Sequence, residues 1–98
     1  MLRVVYEWRV EEANIPAFRA AWKRATTRIH ESVAGARGSF LVQKHGDPGS
    51  ILTIARWDSY EEWQAFWRSA DPAPMREMRA LGERITVTPY EEFDDVTV

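Results

Sequence analysis

Residues 51–67, Ile-Leu-Thr-Ile-Ala-Arg-Trp-Asp-Ser-Tyr-Glu-Glu-Trp-Gln-Ala-Phe-Trp, constrain the fold of this chain more than any other stretch. The β-prone run from Ile51 predicts a strand that ends at Trp57. Ser59 and Glu62 have the spacing of a capping box, in which each side chain satisfies a backbone N–H at a helix start. Trp63, Phe66 and Trp67 then recur at helical intervals. A strand that passes through a short break into a capped helix has to bury these rings between a sheet and a helical layer. With Trp8 and Trp22 the chain holds five tryptophans in 98 residues. Rings of this size either fill a core or line a concave site.

The rest of the chain supplies matching layers. Leu2, Val4, Tyr6, Trp8 and Val10 alternate with Arg3, Val5, Glu7 and Arg9, the period of a strand with one buried face. Asn14 is the predicted cap of a helix with Pro16 in its first turn. Ile15, Phe18, Trp22, Ala25, Ile29 and Val33 mark one face of that helix, and Gly35 is its stop. Phe40 to His45 and Ile51 to Trp57 are expected to form a hairpin around the turn residues 46–50. Pro72 and Pro74 predict a break in the second helix. A shorter piece follows, with Met75, Met78 and Leu81 inward and Gly82 at its end. Ile85 to Val87 begins a last strand, and Tyr90 to Val98 is expected to continue it in extended, acidic form.

This order, β-α-β-β-α-β, predicts one α+β domain over residues 1–98. Its four-stranded antiparallel sheet has strands one and three adjacent and both helices on one face. The opposite face would carry Val5, Leu41, Leu52 and Ile54, apolar enough to predict a homodimer packed sheet to sheet. Glu7 and Arg9 are then placed to pair across it. The acidic run Glu91, Glu92, Asp94 and Asp95 reads as a solvated edge that discourages further strand pairing.

Charge and composition exclude several function classes. A formal charge of −2 gives no field for nucleic acid or an anionic membrane. The absence of cysteine removes disulfides, thiolate nucleophiles and thiolate metal sites. No secretion signal and no apolar run of membrane-spanning length is seen, so a cytoplasmic protein is the expectation. The same element order builds RNA-recognition domains, but Arg37-Gly38-Ser39-Phe40-Leu41-Val42 lacks their stacking aromatics and lies on the wrong strand. There is no glycine-rich phosphate loop and no Ser-His-Asp set.

Strand parity sends Tyr6, Trp8, Thr53, Ala55 and Trp57 toward the helices, where Trp22, Phe66 and Trp67 close over them. Small Thr53 and Ala55 among large rings either leave a hollow or let the rings interlock as core; the sequence leaves both open. His30 and His45 have no carboxylate at ligand spacing and make a poor metal site. His30 reads as a helix-terminal residue and His45 as a rim residue of the dimer face. Arg76 and Arg79 either reach over a pocket mouth or simply face water.

Several of these features together resemble the antibiotic biosynthesis monooxygenase family within the dimeric α+β barrel superfamily. They are Glu7-Trp8-Arg9 on the first strand, Phe18 and Trp22 on the first helix, and the Gly38 entry to strand two. Asp47-Pro48 in the hairpin and Trp57-Asp58-Ser59 before the second helix complete the set. The resemblance implies a ferredoxin-like fold, a dimer through the sheets and a pocket between sheet and helices. It also implies oxidation without metal or flavin: the deprotonated, electron-rich substrate itself gives an electron to O2, while the protein binds it, favours the anion and excludes water. Relatives of that kind look to have Trp at Trp57, an aromatic like Trp63 and an Arg near Arg76, but Asn where this chain has Thr53. A haem-degrading branch uses an Asn–Trp–His set that finds only Trp8 and Phe66 here, with no histidine after the second helix.

The leading expectation is therefore a cofactor-independent monooxygenase acting with O2 on a small aromatic, polyketide or quinol-type compound. Trp8, Trp22, Trp57, Trp63, Phe66 and Trp67 would be pocket walls. Tyr6, Thr53 and Arg76 would be polar contacts, and no catalytic base is identified. The alternatives are a non-catalytic module that binds an apolar ligand in the same place and a dimer with a filled core.

Overall fold

The alternation of the first residues becomes the second strand from one edge of a sheet. In the computed structural model, which describes residues 1–68 and 73–97, strand β1 spans Leu2–Arg9 with Leu2, Val4, Tyr6 and Trp8 buried on one side. A 3₁₀ turn, Glu12–Asn14, leads into helix α1, Ile15–Ser32. Strands β2, Ala36–Lys44, and β3, Asp47–Trp57, form the hairpin. Helices α2, Tyr60–Arg68, and α3, Ala73–Leu81, precede strand β4, Glu83–Glu91. The sheet order is β2-β3-β1-β4 and every neighbouring pair is antiparallel. This is the ferredoxin-like α+β arrangement, with strands one and three adjacent.

The core forms where the inner sheet face meets the helices. Leu2, Val4, Tyr6, Trp8, Val10, Ile51 and Trp57 pack with Phe18, Ala21 and Ala25 of α1, Trp63 and Phe66 of α2, and Met75 and Met78 of α3. The α1 face read from spacing packs inward: Ile15, Trp22, Ile29 and Val33 flank the buried Phe18 and Ala25. Leu81 is partly buried against the core. Gly82 lets the chain pass where a Cβ would lie 2.8 Å from the Val10 side chain.

Two ion pairs tie neighbouring strands at their ends, β1 to β3 and β2 to the residue after β3. The Arg9 guanidinium donates to both oxygens of Asp47 at 3.0 and 2.8 Å, and Arg37 to both oxygens of Asp58 at 2.7 and 2.9 Å. These bonds hold both carboxyls below the usual carboxylate range. The pairs are exposed, so they fix geometry more than they add stability.

The structure corrects several expectations. Asn14 does not cap α1 through its side chain; it has helical backbone angles and closes the preceding 3₁₀ turn. The hairpin turn is tighter than residues 46–50. It centres on His45 and Gly46, the latter at φ +86°, and Asp47 to Ser50 already belong to β3. Ser59 Oγ accepts the Glu62 N–H at 3.2 Å and donates to the Glu62 carboxylate at 3.1 Å, so the side chains pair with each other rather than forming a fully reciprocal box.

Leu41 lies on the helix side, because β2 pairs it with Thr53. Phe40 and Val42 take the outer face instead, opposite Ile54 and Leu52, and are exposed. Strand β4 stops at Glu91. Pro74 is the second residue of α3, while Pro72 lies outside the described residues. None of the described helices is long and apolar enough to cross a membrane.

Candidate functional site

Small side chains set among large ones leave a hollow between sheet and helices. Its sheet side is formed by Tyr6 from β1, Thr53, Ala55, Arg56 and Trp57 from β3, and Ala36, Gly38 and Ser39 from β2. Trp22, Ala25, Thr26, Ile29 and His30 of α1, Phe66 of α2, and Met75 and Met78 of α3 close it. A register shift between Ala36 and Ser39, with Gly38 at φ +99°, kinks β2 beside the hollow. No atom lies within 4 Å of where a Gly38 Cβ would sit. The cavity volume is about 50 Å³, room for a few waters. An aromatic ring enters only if the walls give, and the flexible Met75 and Met78 and the half-buried Trp22 are the walls suited to that.

Indole N–H groups set the polarity of this region. Trp8 Nε1 donates to Thr53 Oγ1 at 3.0 Å, Trp63 Nε1 to the Tyr6 hydroxyl at 3.2 Å, and Trp22 Nε1 to Ser39 Oγ at 3.3 Å. Burial pushes the Tyr6 phenol above its ordinary pKa, offset in part by the Trp63 hydrogen bond and the charge of Arg84. Tyr6 is thus a neutral hydrogen-bonding group and not a base at ordinary pH.

The expected site residues divide into two groups. Tyr6, Trp22, Thr53, Trp57 and Phe66 meet at the hollow, with the Trp57 and Phe66 ring centroids 5.3 Å apart. Trp8, Trp63, Trp67 and Arg76 do not line it. Trp8 packs edge-on against Phe18 at 5.1 Å. Trp63 stacks with Trp67 at 5.7 Å, and Arg84 lies 4.8 Å above the Trp67 ring. Arg76 is exposed on α3. His45 is exposed in the β2–β3 turn, and Arg79 lines a groove at the far end with Arg9 and Asp47.

His30 also lines the hollow, although its place in the sequence reads as an ordinary helix end. Its Nδ1 is 2.9 Å from the Ala36 carbonyl oxygen. An acceptor there makes Nδ1 the N–H nitrogen and leaves the basic lone pair on Nε2 when the ring is neutral. One signal was available: His30 directly follows Ile29 and lies four residues beyond Thr26, both of which also line the hollow. Among the described residues no group of three His, Asp or Glu side chains is placed to hold a metal ion.

Comparison with known proteins gives a consistent picture. The family model described as antibiotic biosynthesis monooxygenase matches residues 1–80. No curated protein matches the sequence. Among solved structures, a candidate antibiotic biosynthesis monooxygenase from Bordetella bronchiseptica superposes with a TM-score of 0.80 at 16% identity, covering 94% of this chain and 96% of that one. SnoaB, a cofactor-independent oxygenase from Streptomyces nogalater, superposes in a mutant form with a TM-score of 0.77 at 16% identity, covering 97% and 95%. A candidate antibiotic biosynthesis monooxygenase from Deinococcus radiodurans gives 0.76 at 15% identity, covering 100% and 98%. At these identities the likeness to solved structures establishes the fold.

Proposed function

The chain belongs to the antibiotic biosynthesis monooxygenase family, and from that premise we propose that it is a cofactor-independent monooxygenase of small aromatic or quinol-type compounds. The observation that carries this reading is the ring-lined hollow between sheet and helices, with a histidine on its wall. In the proposed reaction the substrate loses an acidic proton to His30 Nε2, and the resulting anion transfers one electron to O2. Recombination of the substrate radical with superoxide forms a carbon–oxygen bond. His30 returns its proton to the peroxide anion, and loss of water, which takes the remaining hydrogen from the same carbon, leaves one oxygen atom in the product as a carbonyl and sends the other to water. Residues 1–98 act as one domain, and two copies pair through their outer sheet faces.

Oxygen uptake with an anthrone or a hydroquinone tests the reading. Turnover should occur without added metal or flavin, and His30→Gln should slow it by about 10²-fold, the lower range for a general base, while tryptophan quenching by the same ligand persists. Quenching without turnover across a panel of such compounds would make the protein a binding module. No quenching by any aromatic ligand would leave the hollow as unfilled core.

A further inference from the structure

One ring on the wall of the hollow is joined to others that lead out of the protein. Tyr6 lines the hollow, and its hydroxyl oxygen accepts the Trp63 N–H at 3.2 Å. The Trp63 and Tyr60 ring centroids are 5.8 Å apart, and Tyr60, the first residue of α2, is 42% exposed. Trp67 stacks on Trp63 at 5.7 Å as a side branch, with the Arg84 guanidinium 4.8 Å above its ring. Phenol and indole rings give up one electron far more readily than a phenyl ring, because their oxygen or nitrogen feeds the ring. Trp57, also on the wall, meets Phe66 at 5.3 Å, and a phenyl ring passes no electron on. The contacts Tyr6–Trp63–Tyr60 thus run from the hollow to solvent through oxidisable rings alone.

We propose that Trp63 and Tyr60 carry stray oxidising equivalents from the hollow to the surface, with Tyr6 as the bridge. The inference rests on the proposed reaction, in which a substrate radical and superoxide meet in the hollow. When that pair separates, the substrate radical adds O2 and becomes a peroxyl radical beside the thioethers of Met75 and Met78, which are readily oxidised. Trp63 gives the peroxyl radical one electron through Tyr6, and the peroxide anion so formed takes the proton held by His30. Trp63 becomes a radical cation and keeps its N–H, now a charge-assisted donor to the Tyr6 oxygen. Tyr60 returns an electron to Trp63 and releases its hydroxyl proton to water. The tyrosyl radical is then at the surface, where a thiol in solution gives it a hydrogen atom. Two features set this route. The Arg84 charge over Trp67 opposes a positive charge on that ring, so the electron vacancy stays on Trp63. Burial holds the proton of the Tyr6 phenol in place, so Tyr6 bridges without retaining the radical, whereas Tyr60 has water beside it.

Pulse radiolysis tests the route without any substrate. Azide radicals take an electron from tryptophan, and the partly buried Trp67 is the entry point on this branch. In the unmodified protein the tryptophanyl absorbance should decay at a rate independent of protein concentration while tyrosyl absorbance grows. Tyr60→Phe, which removes only an exposed hydroxyl, should lose most of that growth and leave the tryptophanyl signal standing. Tyr6→Phe should keep the growth, because the bridge is not used when the electron is lost from Trp67. Absence of transfer in the unmodified protein, or equal growth in Tyr60→Phe, overturns the route. Loss of growth in Tyr6→Phe makes Tyr6 the end point and overturns the outward direction. A second measurement follows oxygen uptake with an anthrone or a hydroquinone. Tyr60→Phe should keep the initial rate but stop after fewer turnovers, with more oxygen added to Met75 and Met78 by peptide mass. Equal methionine oxidation in both proteins overturns the protective role. Radical transfer without turnover of any compound supports the route and overturns the monooxygenase reading.

Discussion

Tyr6 has two tasks at the residue scale: its ring packs 6.0 Å from Trp67, and its oxygen receives the buried Trp63 N–H. Tyr6→Phe keeps the ring but leaves Trp63 Nε1 with no acceptor. An unpaired buried donor costs about 1–3 kcal/mol, so denaturant unfolding should show a loss of that order. Adding Trp63→Phe removes the orphaned donor, and the double variant should lose less than the sum of the singles. The pairing was not legible in the sequence. Alternation shows that Tyr6, Trp8 and Thr53 share a face, but the period of two says nothing about which indole meets which hydroxyl. Trp8 and Trp63 therefore read as pocket walls, when the need of each N–H for a buried acceptor turns their edges toward the sheet floor. His30 escaped for a related reason. Its significance comes from the Ala36 carbonyl across the α1–β2 turn, a contact that spacing within the helix cannot show.

At the scale of elements, Gly35 governs how α1 passes into β2. Its φ of +85° is in the left-handed region, its carbonyl accepts the Asp58 N–H at 2.9 Å, and a Cβ there would lie 2.6 Å from the Glu62 carboxylate. Gly35→Ala combines backbone strain of about 1–2 kcal/mol with displacement of the side chain that receives the Ser59 hydroxyl. Thermal unfolding should show a loss of at least about 1 kcal/mol, greater than for Gly38→Ala, where the space for a Cβ is open. Most elements were legible because strong periodicity is paired with punctuation: the alternation of β1, the inward stripe of α1 and Ser59 before α2. Two details were hidden for physical reasons. Asn14 has the composition of a cap, but the chain tightens into a 3₁₀ turn just before the helix. Strand β2 has apolar residues of both parities, so only pairing with β3 decides that Leu41 turns inward and Phe40 outward.

On the scale of the whole molecule, the sheet has one face covered by helices and one without them. Phe40 and Val42 are 47% and 41% exposed, and Val5, Leu52 and Ile54 fill the middle of that outer face. A second copy packed there would cover the apolar strip, with Arg3, Arg56 and Glu92 at its margin. Light scattering at micromolar concentration should give the mass of a dimer, and Ile54→Glu, which places a charge at the centre of the strip, should give a monomer. A stable unmodified monomer would remove the dimer from the proposal. The strand order has a further consequence for how the molecule comes into being. Strand β1 is synthesised first, yet it sits between β3 and β4 and pairs Leu2 with Glu91. Its apolar side, from Leu2 to Trp8, has no complete partner set until the last strand has left the ribosome, on the order of ten seconds later. Newly made chains thus hold a sticky, unpaired strand until β4 is made, and a chaperone that waits on extended apolar segments has its longest opportunity at Leu2–Arg9.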